Sequence, residues 1–256
     1  MGKAMLTSII ENNIAKAADI TVSDKNSVRL EQLKAVFGVS TSEDNIDTAA
    51  GRDIIVLAVK PQNLADVMAE FKGKLSPRQL IVSIIAGKSI KSLREGLGHN
   101  AIVRVMPNTP AQIGMGMSVW TAAKEVTQNQ KEQAKAILGA MGEEIFAEDE
   151  AALDMATAIS GSGPAYVFLF IESLVDAAIE IGLPADEARR LVLQTMLGSA
   201  EYAKKSGEEL ARLREMVTSP GGTTAEAMAV FEKSGFRDII REATGAAYKK
   251  ARQLGG

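Results

Sequence analysis

A chain of 256 residues that is 46% hydrophobic and 24% charged can bury a core in one large or two modest domains, which excludes a disordered chain. Its formal net charge of -3 excludes the broad basic surface used to bind nucleic acid or an acidic membrane. With no cysteine and one histidine, disulfides, thiolate catalysis and clustered Cys/His metal sites are out of reach, and no metal is expected. The single histidine, His99, lies in Gly98-His99-Asn100 and reads as a surface loop residue. No apolar run looks long enough to span a bilayer and no signal peptide is evident, so a cytoplasmic protein is expected.

Met1-Gly2 runs straight into an amphipathic helix, Lys3 to Asn12. Ile20-Thr21-Val22-Ser23 reads as a short strand, followed by a helix that turns Val28, Leu30, Leu33 and Val36 towards the core. Val39-Ser40-Thr41 reads as a small strand, and Ser42 to Asn45 as the cap of a short helical turn. Residues 53–59 and 80–85 are continuous apolar runs, the mark of strands buried on both faces of a parallel sheet. Lys60-Pro61 and Ala86-Gly87 close them, each leading into a helix. Further strands are predicted at 102–106, 115–121 and near 144–146, with a helix at 128–141. Strands alternating with helices predict a doubly wound parallel sheet over residues 1–147.

From residue 148 onward only helical periodicity remains, which predicts an all-α second domain. Ser160-Gly161-Ser162-Gly163-Pro164 reads as its one interruption, ahead of a helix over 167–181 that is apolar on too many sides for a surface position. A second subunit is the simplest cover for it. Helices at 185–205 and 208–217 lead to Thr218-Ser219-Pro220-Gly221-Gly222-Thr223-Thr224. Pro-Gly-Gly forces a bend, and the helix that begins there, with its positive dipole end and unpaired first-turn N–H groups, suits a carboxylate. Taken alone, the segment reads equally as a Ser/Thr cap after a turn.

An α/β sheet receives ligands beyond the carboxyl ends of its strands. Ser23-Asp24-Lys25, Ala58-Val59-Lys60-Pro61 and Ile84-Ile85-Ala86-Gly87 are three such ends. Together with Met106-Pro107-Asn108-Thr109-Pro110, Ser160 to Tyr166 and Ser219 to Thr224, the motifs in their order and spacing make the chain similar to pyrroline-5-carboxylate reductases. That resemblance implies a Rossmann-like domain joined to an all-α dimerisation domain. It implies hydride transfer from NADPH, with NADH as the alternative, to the cyclic imine 1-pyrroline-5-carboxylate, the last step of proline synthesis. It also implies roles by position. Ser23 resembles the residue at the ribose 2′ position and Asn45 one near the adenosine. Ala58, Val59, Lys60 and Pro61, with Ile84, Ile85 and Ala86, resemble the wall along the ribose and nicotinamide. Ser219, Gly221, Gly222 and Thr223 resemble the substrate carboxylate cradle, Thr224 the hydroxyl at the ring nitrogen, and Glu150 a substrate-side acid.

Such proteins begin with a strand and a Gly-x-Gly-x-x-Gly turn. Here Met1-Gly2-Lys3-Ala4 matches only the last glycine, Gly2, and the start of the helix. The strand would stand between those at 20–23 and 54–59, so two unpaired strand edges are expected. We therefore expect Met1 to be an internal methionine of a longer reading frame, the alternative being a dimeric scaffold without a working cofactor site. A hydroxyacid dehydrogenase would need a lysine on the first long helix of the second domain, and none lies between Glu150 and Ala203.

Overall fold

The computed structural model describes residues Met1–Gly255. Two sheets form. β1 (Thr21–Ser23) and β2 (Ser40–Ser42) pair in parallel as one. The other runs β3-β4-β5-β6-β7, made of Ile54–Leu57, Leu80–Ser83, Ile102–Met106, Gly116–Ala122 and Gly142–Phe146. β1 and β3 are not hydrogen-bonded to each other, in keeping with the two expected strand edges. The expected all-parallel sheet is corrected at one strand: β6 pairs with β5 antiparallel and with β7 parallel. Only a short 3₁₀ turn, Thr109–Ile113, joins β5 to β6, too little chain for a parallel crossover.

The helices start and stop where local chemistry directs. In α2 (Ser27–Phe37) the Asn26 side chain accepts the Arg29 amide, and Gly38 ends the helix in the left-handed region. Ser89 caps α5 (Ile90–Leu97), and a Thr127/Gln130 capping box opens α6 (Gln128–Gly139). One sheet face packs on α1 (Gly2–Glu11) and α6 through Met5, Val82, Val103, Trp120 and Leu138. The other packs on α3 (Asn45–Ala49), α4 (Leu64–Phe71) and α5 through Leu57, Ile81, Ile102, Leu64 and Leu93. Three sequence expectations change here. Val28 and Val36 are 61% and 69% exposed, and α2 buries only Leu30 and Leu33. His99 is buried, and its Nε2–H donates to the Gln79 carbonyl at 2.7 Å, so it is a core tie rather than a surface residue. The interruption expected at Ser160 to Pro164 is a π-helical turn, Thr157–Gly161, and a bend at Ser162 after α7 (Ala152–Ala156), rather than a loop.

Gly142 is the tightest backbone contact in the sheet. Its φ is +138°, and a Cβ there would lie 2.2 Å from the Gly116 carbonyl oxygen across the β6–β7 ladder. Backbone cannot yield as a flexible side chain does, so Gly142→Ala should lower unfolding free energy by at least about 3 kcal/mol, read from the urea midpoint.

The chain forms two compact units, Met1–Ser162 with the chain from Ala247, and Gly163–Ala246. Residues 148–162 group with the first unit, where Leu153 and Ala158 are buried. The second unit is wholly helical: α8 (Gly163–Glu180), α9 (Ala185–Ser206), α10 (Leu210–Met216), α11 (Thr223–Lys233) and the first part of α12 (Phe236–Gly255). Phe236 stacks obliquely between Phe170 and Phe231. Among its described apolar side chains only Ala188 and Val192 are buried. One stretch, Ala152–Glu180, has the length and apolar character of a membrane span at mean hydropathy 1.4. The sequence reading missed it by counting the Ser-Gly-Ser-Gly-Pro segment as a break.

Candidate active site

The carboxyl ends of β3 and β4 lie side by side, since the two strands pair in parallel from Ile54↔Leu80 to Leu57↔Ser83. Ala58 to Pro61 and Ile84 to Ala86 leave the sheet there, so the two expected wall segments are adjacent. Ala58 and Ala86 are exposed, whereas the Ile85 side chain is buried in the core and offers only its backbone. Gly2 stands over the same edge: a Cβ on it would be 3.1 Å from that of Ala58. No side chain caps the first turn of α1, whose N–H groups therefore remain available to an anion.

Ser23 ends β1, and Asn45 opens α3 just after β2. The Asn45 Nδ2 donates to Glu70 Oε2 at 2.6 Å, which leaves its carbonyl oxygen for a ligand. Beside it, the Asp47 and Ile46 amides hold the Asp44 carboxyl below its ordinary 3.8. Asp24 is already engaged: it accepts the Asn26 amide at 2.9 Å and Arg29 Nη1 at 3.0 Å. A carboxylate so occupied is a poor partner for a ribose hydroxyl. Arg29, which sequence reasoning passed over, adds an exposed guanidinium at Asp24, just after the end of β1, and an arginine at this place suits a 2′-phosphate.

The Ser219–Thr224 loop is a hydrogen-bonded turn. The Gly222 amide donates to the Ser219 carbonyl at 3.0 Å, with Pro220 second and Gly221 third at φ +71°. Gly222 occupies the N-cap of α11, and no side-chain oxygen caps the helix. The plain Ser/Thr cap is thus not what the sequence builds. Thr223 is exposed and Thr224 half-buried in the first turn.

Glu150 sits in a cluster that the sequence reading did not see. Its Oε1 accepts from the Ile90 amide and from Arg104 Nη1, each at 2.8 Å, and Arg104 Nη2 reaches Asp154 Oδ1 at 3.3 Å. An arginine in the apolar strand Ile102-Val103-Arg104-Val105-Met106 was the available signal. Asn108 accepts the Met117 amide at 2.9 Å and folds the Met106–Pro110 motif onto β6. Gly161 of the π-turn lies against Met106, where a Cβ would meet the methionine methyl. π-turns of this kind recur at functional sites.

Relatives at substantial identity share the whole chain. A pyrroline-5-carboxylate reductase of Synechocystis is 42% identical over 255 residues, covering 100% of this chain and 95% of the relative. The chain belongs to the pyrroline-5-carboxylate reductase family. The pyrroline-5-carboxylate reductase dimerisation family matches residues 150–254, and the family described as NADP oxidoreductase, coenzyme F420-dependent, matches residues 1–87. Among solved structures, a pyrroline-5-carboxylate reductase from Coxiella burnetii superposes with TM-score 0.93 at 35% identity, covering 100% of this chain and 95% of that one. The Plasmodium falciparum pyrroline carboxylate reductase with NADP bound gives 0.91 at 36%, with the same coverage of 100% and 95%. The Rossmann-like domain followed by a helical dimerisation domain is therefore the family's architecture in this chain too.

Proposed function

We propose that this chain reduces 1-pyrroline-5-carboxylate to proline with NADPH as the preferred cofactor. The observation that carries the reading is the full-length match to this reductase family at up to 42% identity among the relatives named. The uncapped Pro-Gly-Gly turn at the start of α11 supports the placing of substrate. When bound, NADPH supplies the hydride. In our reading the first turn of α1 receives the pyrophosphate, and Gly2 lets it approach. Ser23 and Arg29 hold the 2′-phosphate, and Asn45 lies along the adenosine. The segments Ala58 to Pro61 and Ile84 to Ala86 line the ribose and nicotinamide.

The imine carries its own electrophilic carbon once its nitrogen is protonated, so the protein's task is orientation. The amides and hydroxyls of Ser219 to Thr224 fix the substrate carboxylate, with Gly221 and Gly222 leaving the backbone open to it. Thr224 Oγ1 hydrogen-bonds the ring nitrogen and steadies the amine that forms. It is not a nucleophile, because no base is positioned to activate it. The apolar surface of α8 is the subunit interface in this reading, not a membrane span, and the protein is a cytoplasmic homodimer that can assemble further.

The test is NADPH consumption on addition of the cyclic imine, with proline identified as product. Purified chain that consumes no NADPH under these conditions refutes the reading. Arg29→Ala should raise the KM for NADPH by about 10-fold while leaving that for NADH unchanged, since a lost charged hydrogen bond costs ~1.5–3 kcal/mol.

A further inference from the structure

We propose that Arg104, Glu150 and Asp154 act together as a positioning unit for the β4–α5 loop, and so for the nicotinamide half of the cofactor site. The inference rests on the reading that residues 84–86 line that site. Arg104 rises from the middle strand of the sheet with its side chain 7% exposed, and it is in register with Ser83, the last residue of β4. The loop therefore begins beside the arginine. It ends at Ile90, whose amide is bonded to the same Glu150 oxygen that takes the guanidinium. One carboxylate oxygen thus ties the first turn of α5 to a fixed point on β5.

The loop is held in between as well. The Ile85 amide reaches Ser83 Oγ at 3.4 Å, and Gly87 is so close to the end of α12 that a Cβ would stand 2.8 Å from that of Leu254. At the next residue of α12, Gly255, a Cβ would stand 3.6 Å from Oδ1 of Asp154, the second partner of Arg104. Both ends of the loop are thereby referred to one buried cation, and its tip is held against the end of α12.

Stability alone is a weak reason for such a group. A buried ion pair can often be replaced by apolar side chains of similar volume without loss, whereas an aliphatic residue could not hold the Ile90 amide and the sheet at once. Hydride transfer depends steeply on alignment, and misplacement by about 1 Å can cost roughly 100-fold in rate. Glu150 is thus a positioning residue, and the substrate-side role suggested by resemblance is not needed to explain it.

The experiment compares the parent chain with Glu150→Gln and Arg104→Lys. NADPH affinity is read by fluorescence titration, kcat and the two KM values by steady-state kinetics, and folding by thermal melting. Gln keeps an acceptor for the Ile90 amide but weakens the pairing, and Lys keeps the charge but loses the fork that reaches both carboxylates. We expect NADPH binding to weaken by about 10-fold and kcat to fall at least as far, with the imine KM unchanged. NADPH affinity equal to the parent's in both folded variants overturns the inference. So does a rise in imine KM at constant NADPH affinity, which would make Glu150 a substrate contact. A parent that binds NADPH but reduces no imine removes the functional reading and leaves the binding comparison to decide this one. A parent that does not bind NADPH overturns both.

Discussion

Replacing Thr224 by alanine is expected to lower kcat by about 100-fold, the scale of a lost hydrogen-bonding group at a reacting atom. Stability should stay within ~0.5 kcal/mol of the parent. The two effects separate because Thr224 is not the cap of its helix. Gly222 holds that position without any side-chain hydrogen bond, and the turn beneath is closed by backbone between Gly222 and Ser219. Alanine is also the better helix former, so the first turn of α11 survives. Thr224→Ser, which keeps the hydroxyl, should retain most of the turnover. Steady-state kinetics beside a thermal melt decides the matter, and equal turnover in parent and alanine variant would reduce the segment to a bare turn.

Phe168→Asp should convert a dimer into a monomer. Phe168 and Leu169 are 62% and 63% exposed on α8, and Ile181 just beyond it is 83% exposed. A helical unit that buries only Ala188 and Val192 among its described apolar side chains has little core of its own, which fits the dimerisation family matched by residues 150–254. A carboxylate in that interface would lose its water without gaining a partner, a cost of several kcal/mol. Light scattering should show the mass halved, and the melt should lose its cooperativity. Val36→Asp, at a 69% exposed site on α2, is the control and should leave both unchanged. An undiminished mass for Phe168→Asp would put the interface elsewhere.

Much of the fold was legible in the residues because its strands and turns rest on local chemistry. The runs at 54–57 and 80–83 are apolar without alternation because both sheet faces are covered, whereas a strand with one face in water would alternate. The Pro-Gly-Gly turn was legible because a proline followed by a left-handed glycine permits little else. What stayed hidden depended on partners distant in sequence. His99 looks like a loop residue until Gln79 supplies a buried carbonyl. Glu150 looks free until Arg104, 46 residues away, claims it. Asp24 looks free until Arg29 occupies it, and that pairing agrees with the NADPH preference already implied by resemblance. Periodicity also misjudged Val28 and Val36, since it shows that a helix has an apolar side and not which residues centre on it.

The small β1–β2 sheet draws its support from side chains of the elements around it. Two strands of three residues each are too short to persist unaided, and they depend on what braces them. Leu6, Leu33 and Val39 form a small cluster of their own, and Arg52 reaches across to the Asp19 carbonyl and the Thr21 hydroxyl. Hydrogen exchange should find the amides of this corner opening ahead of those of the five-stranded core. NADPH held by Ser23 and Arg29, as proposed above, would add a further brace to that corner. Bound NADPH should then slow amide exchange at β1 and β2 more than in the five-stranded core.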